Sequence, residues 1–99
     1  MFVLSGENSM LARYILPVFR ESSQVFAFNQ DKGNIEDAGF ISAFIDEIKP
    51  KVFINCEGLD QPEACEYNRE YAYRLNGRVP ADIGGLCRDR DILLIYFST

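Results

Sequence analysis

Residues 2–12 read FVLSGENSMLA, and this stretch decides the fold. It begins with Phe2-Val3-Leu4, a continuous apolar run of the kind found in strands that are buried on both faces. Gly6 then interrupts the run, and apolar residues at helical spacing begin at Met10. A buried strand, a glycine turn and an amphipathic helix, in that order, predict the opening of a βαβ unit.

The rest of the chain continues the alternation of strands and helices. Further strands are predicted at Val25–Phe28, Val52–Ile54 and Ile92–Phe97, the last being the most apolar. Helical segments are predicted between them, from Asp60 to Leu75 and, more weakly, at Val79–Arg88. The weaker helix is expected to be interrupted, because it contains Pro80 and the pair Gly84-Gly85.

The first two helices have clear apolar stripes. In the first, the predicted stripe consists of Met10, Leu11, Tyr14, Ile15, Val18 and Phe19, with Pro17 expected to kink or weaken the helix. In the second, it consists of Phe40, Ile41, Phe44, Ile45 and Ile48. Asp37 is the predicted N-cap of the second helix, and Pro50 is expected to end it.

This pattern predicts an α/β fold of the Rossmann-like, three-layer α/β/α type, with a parallel sheet of about four strands. Right-handed crossovers place the second strand on one side of the first and the later strands on the other. The strand order therefore switches at the carboxyl end of the first strand. Open α/β sheets bind their ligands at such a switch point.

Composition limits the classes of protein that need to be considered. The 99 residues are predicted to form one domain, residues 1–99. The net charge of -5 argues against a nucleic-acid partner. There is neither an apolar run of about 20 residues, which a membrane helix needs, nor a signal-peptide pattern. Because the three cysteines have no CxxC spacing and histidine is absent, we expect reduced thiols, no metal site and a cytoplasmic location.

The turn after the first strand is the strongest candidate site. A helix N-terminus can direct backbone N–H groups and the positive end of its dipole at a phosphate. Gly6 would let a pyrophosphate approach the backbone, although Ser9 and Ala12 stand where further glycines would be ideal. A plain tight turn explains these residues equally well.

Residues at the ends of the next two strands should border the same crevice. Asn29 and Gln30 stand where dinucleotide sites place groups for the ribose, although a solvated loop is the alternative. Cys56, Glu57 and Gly58 follow the third strand. Glu57 would repel a pyrophosphate, and Cys56 is expected to be a small buried residue, since no histidine could activate it.

Taken in order, these segments resemble the amino-terminal portion of the dTDP-4-dehydrorhamnose reductases, members of the extended short-chain dehydrogenase/reductase group. Residues 2–12 resemble the opening strand and GxxGxxG turn of that family. GNIED at 33–37 resembles the LDITD segment, and IKPKVFINC at 48–56 resembles IRPDVVINAAA. Glu63, Glu66, Ala72, Tyr73 and Asn76 follow the pattern DKAESEPELAYAVN, and IYFST at 95–99 resembles VYIST.

The resemblance implies reduction of a 4-keto nucleotide sugar by NADPH or NADH, in rhamnose and cell-surface polysaccharide synthesis. By match, Thr99 is the catalytic hydroxyl, and the pyrophosphate meets the backbone of Asn8, Ser9, Met10 and Leu11. The resemblance also implies that Asn34 and Ile35 border the adenine. Cys56, Glu57 and Gly58 would border the sugar-phosphate side.

The resemblance places the family's YxxxK motif and substrate lobe beyond Thr99. We therefore expect a truncated amino-terminal part of a longer reductase, inactive alone, whose full-length form binds the nucleotide sugar. Ser9, Asn34 and Glu57 depart from the family pattern, so a degenerate member with a regulatory or interaction role is the alternative. A stand-alone interaction module is a third hypothesis. The apolar last strand would form a sheet edge, which predicts self-association.

Overall fold

The computed structural model describes residues 1–29, 32–57 and 69–97. Its strands are β1 (Phe2–Ser5), β2 (Val25–Phe28), β3 (Val52–Asn55) and β4 (Leu93–Tyr96). Its helices are α1 (Met10–Ser22), α2 (Ala38–Ile48), α3 (Arg69–Tyr73) and α4 (Val79–Asp89). A π-helical turn, Arg74–Arg78, joins α3 to α4. No helix within the three described ranges is long and apolar enough to cross a membrane.

The strands form one parallel sheet in the order β2-β1-β3-β4, which confirms the predicted switch point at β1. Their carboxyl ends are in register. Ser5 is opposite Phe28 on one side and Asn55 on the other, and Asn55 is opposite Tyr96. The residues that follow these strand ends therefore meet at a single edge of the sheet.

Alternating strand residues build a core on each face of the sheet. On one face, Val3 and Phe53 belong to a cluster that includes Ile41 and Ile45 of α2 and Ile83 of α4. On the other, the cluster consists of Leu4, Ala12, Ala27, Ile54 and Cys56, and α1 covers it. Helices on both faces confirm the predicted three-layer α/β/α class.

Helix α1 buries only part of its predicted stripe. Leu11, Ile15 and Phe19 pack on the sheet, and Ala12 is fully buried among them. The other three, Met10, Tyr14 and Val18, are 69%, 74% and 63% exposed, so their assignment to the buried face was wrong. They lie one helical step, about 100°, behind the residues that pack. Because the helix contacts the sheet along one side only, these three residues remain exposed to solvent. Pro17 is exposed as well, and the helix continues past it to Ser22.

Helix α2 follows the prediction closely. Asp37 caps it, because its carboxylate accepts a 3.1 Å hydrogen bond from the N–H of Phe40. Ile41 and Ile45 are buried, and the three other residues of the stripe pack against the core. Lys49 ends the helix in the left-handed region, at φ 54, and Pro50 follows.

Helix α4 runs without a break from Val79 to Asp89, so the predicted interruption was wrong. Pro80 is the second residue of α4, just after the π-helical turn, and the carbonyl of Asn76, four residues before it, accepts a 3.3 Å hydrogen bond from the Tyr96 hydroxyl. Gly84 is within contact range of β4, since a Cβ built there would lie 3.8 Å from Leu94 Cδ2. Of the predicted helix from Asp60 to Leu75, the described part begins at Arg69 and passes into the π-helical turn at Arg74.

Two strands differ in detail from the prediction. Strand β4 is shorter, Leu93–Tyr96 instead of Ile92–Phe97, and Ile92 is buried just before it. Strand β2 is not buried throughout, because Phe26 is 39% exposed. Both strands lie at edges of the described sheet and pair on one side only. Edge strands of this kind are less completely covered than the central pair, β1 and β3.

Candidate functional site

The turn between β1 and α1 is built on Gly6, which has a φ of 78°. A Cβ at this position would lie 2.7 Å from the carbonyl carbon of Cys56, so a side chain is excluded by both conformation and space. The N–H groups of Gly6 and Glu7 both donate to the carbonyl of Phe28, at 3.0 and 3.1 Å. The turn is therefore held between the ends of β2 and β3.

Ser9 is the N-cap of α1, and its hydroxyl accepts a 3.1 Å hydrogen bond from the N–H of Ala12. The cap satisfies one of the N–H groups that a helix leaves without a helical acceptor in its first turn. Met10 and Leu11 stand in that same turn. Ala12 is fully buried where α1 meets the sheet, and its small side chain permits the close packing that a glycine would provide. The Ser9 cap was missed at the sequence level, although a serine just before a helical stripe is a recognisable signal.

Asn55, the last residue of β3, connects the turn to the third strand. Its Oδ1 accepts hydrogen bonds from the hydroxyl of Ser5 and from the N–H of Glu57, each 2.9 Å long. Ser5 and Asn55 are both fully buried. Asn55 Nδ2 is buried and has no hydrogen-bond partner among the described residues. The sequence placed Ser5 in the first turn and Asn55 at the crevice but assigned neither a role, although polar side chains that end two apolar strands were a usable signal.

Glu57 lies directly against the turn, because its backbone nitrogen would be 2.9 Å from a Cβ on Gly6. Its Oε1 is buried and has no partner in the described part of the chain. Burial raises the pKa of Glu57 to about 7. Its neighbour Cys56 is 6% exposed, as predicted, and donates a 3.0 Å backbone hydrogen bond to Ser5.

A second carboxylate, that of Glu7, lies in the turn itself. Its Oε1 accepts a 2.7 Å hydrogen bond from Asn29 Nδ2 and lies 3.7 Å from Lys32 Nζ. Asn29 is thereby joined to the turn, whereas its predicted neighbour Gln30 lies outside the described residues. Lys32 also lies over the ring of Phe26, with its Nζ 5.9 Å from the ring centroid.

The segment predicted to border an adenine is held by other contacts. Ile35 is 3% exposed and belongs to the core, so only its backbone could meet a ligand. Asn34 is exposed, and its Oδ1 accepts a 2.9 Å hydrogen bond from the N–H of Glu36. The Glu36 carboxylate pairs with Arg74 and, at 3.4 Å, with Arg78. The π-helical turn therefore anchors this segment.

The structure thus brings Gly6, Ser9, Asn29, Cys56 and Glu57 to one edge of the sheet. Asn8 and Met10 are exposed beside them, and Leu11 is half-buried. The remaining predicted site residues, Gly58 and Thr99, lie outside the described residues, as Gln30 does. In the part of the chain that the structure describes, no three Cys, Asp or Glu side chains gather into a group that could hold a metal.

Comparison with known proteins identifies the family. Residues 1–99 match the family model described as the RmlD substrate binding domain. The chain belongs to this family. The match confirms the resemblance to dTDP-4-dehydrorhamnose reductases, and it covers the whole chain and not only the glycine turn.

Two curated relatives of this RmlD-family chain are reductases by name. The "Probable low-salt glycan biosynthesis reductase" of Haloferax volcanii is 27% identical, and the match covers 97% of this chain and 36% of that protein. The dTDP-4-keto-6-deoxy-D-glucose reductase of Streptomyces niveus is 26% identical over 99% of this chain and 34% of that protein. The chain spans about a third of the length of the curated relatives that it matches.

A solved structure shows the same fold. The dTDP-4-dehydrorhamnose reductase of Bacillus anthracis, crystallised in complex with NADP, matches with a TM-score of 0.86. The match covers 98% of this chain and 35% of that one, at 19% identity. The RmlD-family chain therefore shares its fold with about a third of a reductase that was crystallised with NADP.

Proposed function

We propose that this chain supplies the dinucleotide-binding part of a reductase that uses NADPH or NADH to reduce a 4-keto nucleotide sugar. Reductions of this kind would serve rhamnose or other cell-surface glycan synthesis. The family membership and the two reductase relatives support the reaction class. The activity belongs to the longer protein that those relatives represent, and a cytoplasmic location remains a prediction.

The observation that carries the proposal is the Gly6 turn. Gly6 has a left-handed conformation and lies against the Cys56 carbonyl. Because it has no side chain, a ligand could approach the backbone just before the N-terminus of α1. Backbone N–H groups and the helix dipole at this position suit a pyrophosphate. A second observation supports a ligand here, because Asn55 is fully buried at the adjacent strand end and its Nδ2 has no partner among the described residues.

The proposed roles of the residues follow from these positions. The N–H groups of Asn8, Met10 and Leu11 would bind the pyrophosphate, whereas the N–H of Ser9, which was predicted to do so as well, already donates to the Gly6 carbonyl at 2.9 Å. Asn29 and Gln30 would lie towards the ribose. Asn34 and the backbone of Ile35 would border the adenine, and Cys56, Glu57 and Gly58 the opposite side. A bound NADPH or NADH supplies the hydride. Thr99 would polarise the substrate carbonyl, a role that rests on the family resemblance alone.

A second candidate function is a degenerate family member that regulates or binds without catalysis. Two acidic residues lie at the turn where a pyrophosphate would bind, Glu7 within the turn and Glu57 with its backbone against Gly6, which favours this alternative. Lys32 lies close to Glu7 and offsets its charge. The Oε1 of Glu57 has no hydrogen-bond partner in the described chain, so nothing there offsets its charge. Glu57 is therefore the residue that most favours the degenerate member over the dinucleotide-binding reductase.

The test is a calorimetric titration of the folded chain with NADPH and with NADH. We expect saturable binding that is lost in Gly6→Val, because a side chain at this position would collide with Cys56. Gly77→Ala is the matched control, since a Cβ there would meet no atom within 4 Å, and it should bind as the native chain does. A folded sample that binds neither dinucleotide would contradict the proposal and favour the degenerate member.

A further inference from the structure

The carboxyl group of Glu57 differs from that of Glu7, the other acidic residue at the Gly6 turn in the described part of the chain. Its backbone nitrogen is held in place beside the turn, because its N–H donates to Asn55 Oδ1 and the same nitrogen would lie 2.9 Å from a Cβ on Gly6. The side chain is half-buried, and its Oε1 is fully shielded from solvent. A buried carboxylate oxygen without a hydrogen-bond donor is costly, so the neutral acid is favoured.

The other acid at this turn, Glu7, has partners for its carboxylate. Its carboxylate accepts a hydrogen bond from Asn29 and has Lys32 Nζ within 3.7 Å, so it has both a donor and a cation beside it. Glu57 Oε1 accepts no hydrogen bond from residues 1–29, 32–57 or 69–97. Two acidic residues therefore lie at the turn proposed to bind pyrophosphate, and in the described structure only the carboxylate of Glu7 has a donor and a cation beside it.

The charged groups around Glu57 do not change this conclusion. On α3, Tyr71 lies near enough for the Glu57 charge to contribute to the raised pKa of the phenol, after the larger effect of burial. Arg74 lies over the Tyr71 ring, 5.7 Å from its centroid, but its guanidinium pairs with Glu36. Arg78 pairs with Glu36 and Asp82, and Lys32 lies beside Glu7.

We propose that Glu57 makes dinucleotide binding proton-coupled: the ligand binds while this carboxyl is neutral and is expelled when it ionises. The inference rests on the proposed function. As a carboxylate, Glu57 would set a negative charge against a pyrophosphate in a partly buried site, where Coulomb repulsion is weakly screened. As a neutral acid it removes that charge and offers one O–H donor. The position holds a small apolar residue in the related motif, so the coupling would be a property of this chain.

The proposal gives a quantitative pH profile. Burial raises the pKa of Glu57 to about 7, so the binding-competent form dominates below that pH. If only the neutral form binds, the affinity falls about tenfold for each pH unit well above 7, or about fiftyfold between pH 7 and pH 9. Binding at pH 8 would then take up about one proton for each ligand molecule.

The experiment measures proton uptake directly. Native protein is titrated with NADH at pH 6.5 to 9 in pairs of buffers that differ in ionisation enthalpy, and the buffer dependence of the heat gives the protons taken up. We expect uptake at pH 8 and a falling affinity for the native chain. Glu57→Gln and Glu57→Ala should show neither effect, whereas Glu47→Gln, at an exposed carboxyl of α2, should show both. Circular dichroism confirms that each variant is folded.

The outcomes separate this inference from the proposed function. Native binding with a pH-independent affinity, or a pH slope that persists in both Glu57 variants, would overturn the coupling and leave dinucleotide binding intact. Binding by the Glu57 variants alone, at every pH, would also overturn the coupling. Folded native and variant proteins that bind no dinucleotide between pH 6.5 and 9 would overturn both proposals.

Discussion

The hydroxyl of Ser5 donates a 2.9 Å hydrogen bond to Oδ1 of Asn55, 50 positions further along the chain. The same oxygen accepts the N–H of Glu57, so one buried amide holds together the end of β1, the end of β3 and the residue beside the Gly6 turn. Both side chains are fully buried. A buried acceptor that serves two donors leaves both of them unpaired when it is removed.

Removing the Asn55 amide should therefore cost more than removing one of its donors. We expect Asn55→Ala to lower the free energy of unfolding by about 2 kcal/mol or more, since it leaves the Ser5 hydroxyl and the Glu57 N–H without their acceptor. Ser5→Ala should cost about 1 kcal/mol. Urea denaturation followed by circular dichroism measures both, with Ser22→Ala at an exposed position as the control. A smaller loss for Asn55→Ala than for Ser5→Ala would contradict the assigned network.

The conformation of Gly6 gives a second prediction. We expect Gly6→Ala to lower the free energy of unfolding by at least about 2 kcal/mol, because it adds a Cβ at φ 78° and places it against Cys56. Gly77→Ala adds the same methyl group in open space and should leave the stability unchanged or raise it by up to about 1 kcal/mol. Equal effects of the two substitutions in the same denaturation assay would refute the role given to the turn.

The stability of the free chain should depend on pH through Glu57. Burial raises its pKa from 4.5 to about 7, so the folded state binds more protons than the unfolded state between those values. The contribution of Glu57 to the free energy of unfolding is therefore largest below pH 4.5. It declines as the pH rises from 4.5 to 7 and is constant above 7. The decline is at most about 3 kcal/mol. Urea midpoints for native protein and Glu57→Gln, measured from pH 4.5 to 8, should diverge in this window, and parallel curves would count against a buried acid.

Cys87 should be chemically inert in the folded protein. It is 1% exposed, and burial raises the pKa of its thiol to about 11, with Arg90 acting in the opposite direction. At pH 8 only about one molecule in a thousand would carry the reactive thiolate. We expect mass spectrometry after iodoacetamide treatment to find Cys87 unmodified until urea is added. Rapid labelling of Cys87 without denaturant would show that α4 opens or packs differently.

We also propose that the chain self-associates through β4. Among the described strands, β4 pairs only with β3, and Leu93 on this edge is 62% exposed. An apolar edge with free backbone groups favours pairing with a second copy. Light scattering at rising concentration should show association that Leu93→Lys weakens. Val18→Lys, at an equally exposed apolar position on α1, is the control. Loss of association in the Val18 variant alone would move the interface to α1.

The sequence by itself determined the order of the elements and the topology of the sheet. Near-continuous apolar runs mark strands that are covered on both faces, and the handedness of the crossovers then limits the strand orders to a few, among them the observed switch at β1. Local chemistry was also readable, as at Asp37, whose side chain caps α2 within three residues of its own position. A helix cap depends only on residues that are close in the sequence, so it can be predicted without the tertiary structure.

Only the tertiary structure decided which groups are buried together. The sequence could not tell that Met10, Tyr14 and Val18 stand one step outside the packed face of α1, because that depends on the angle at which the helix meets the sheet. The sequence indicated that the charge of Glu57 would repel a pyrophosphate, but not that its carboxyl oxygen is buried or that its N–H donates to Asn55. The environment of Glu57 includes Gly6 and Tyr71, which are distant in the sequence, and the pKa of an acid is set by what surrounds it in space.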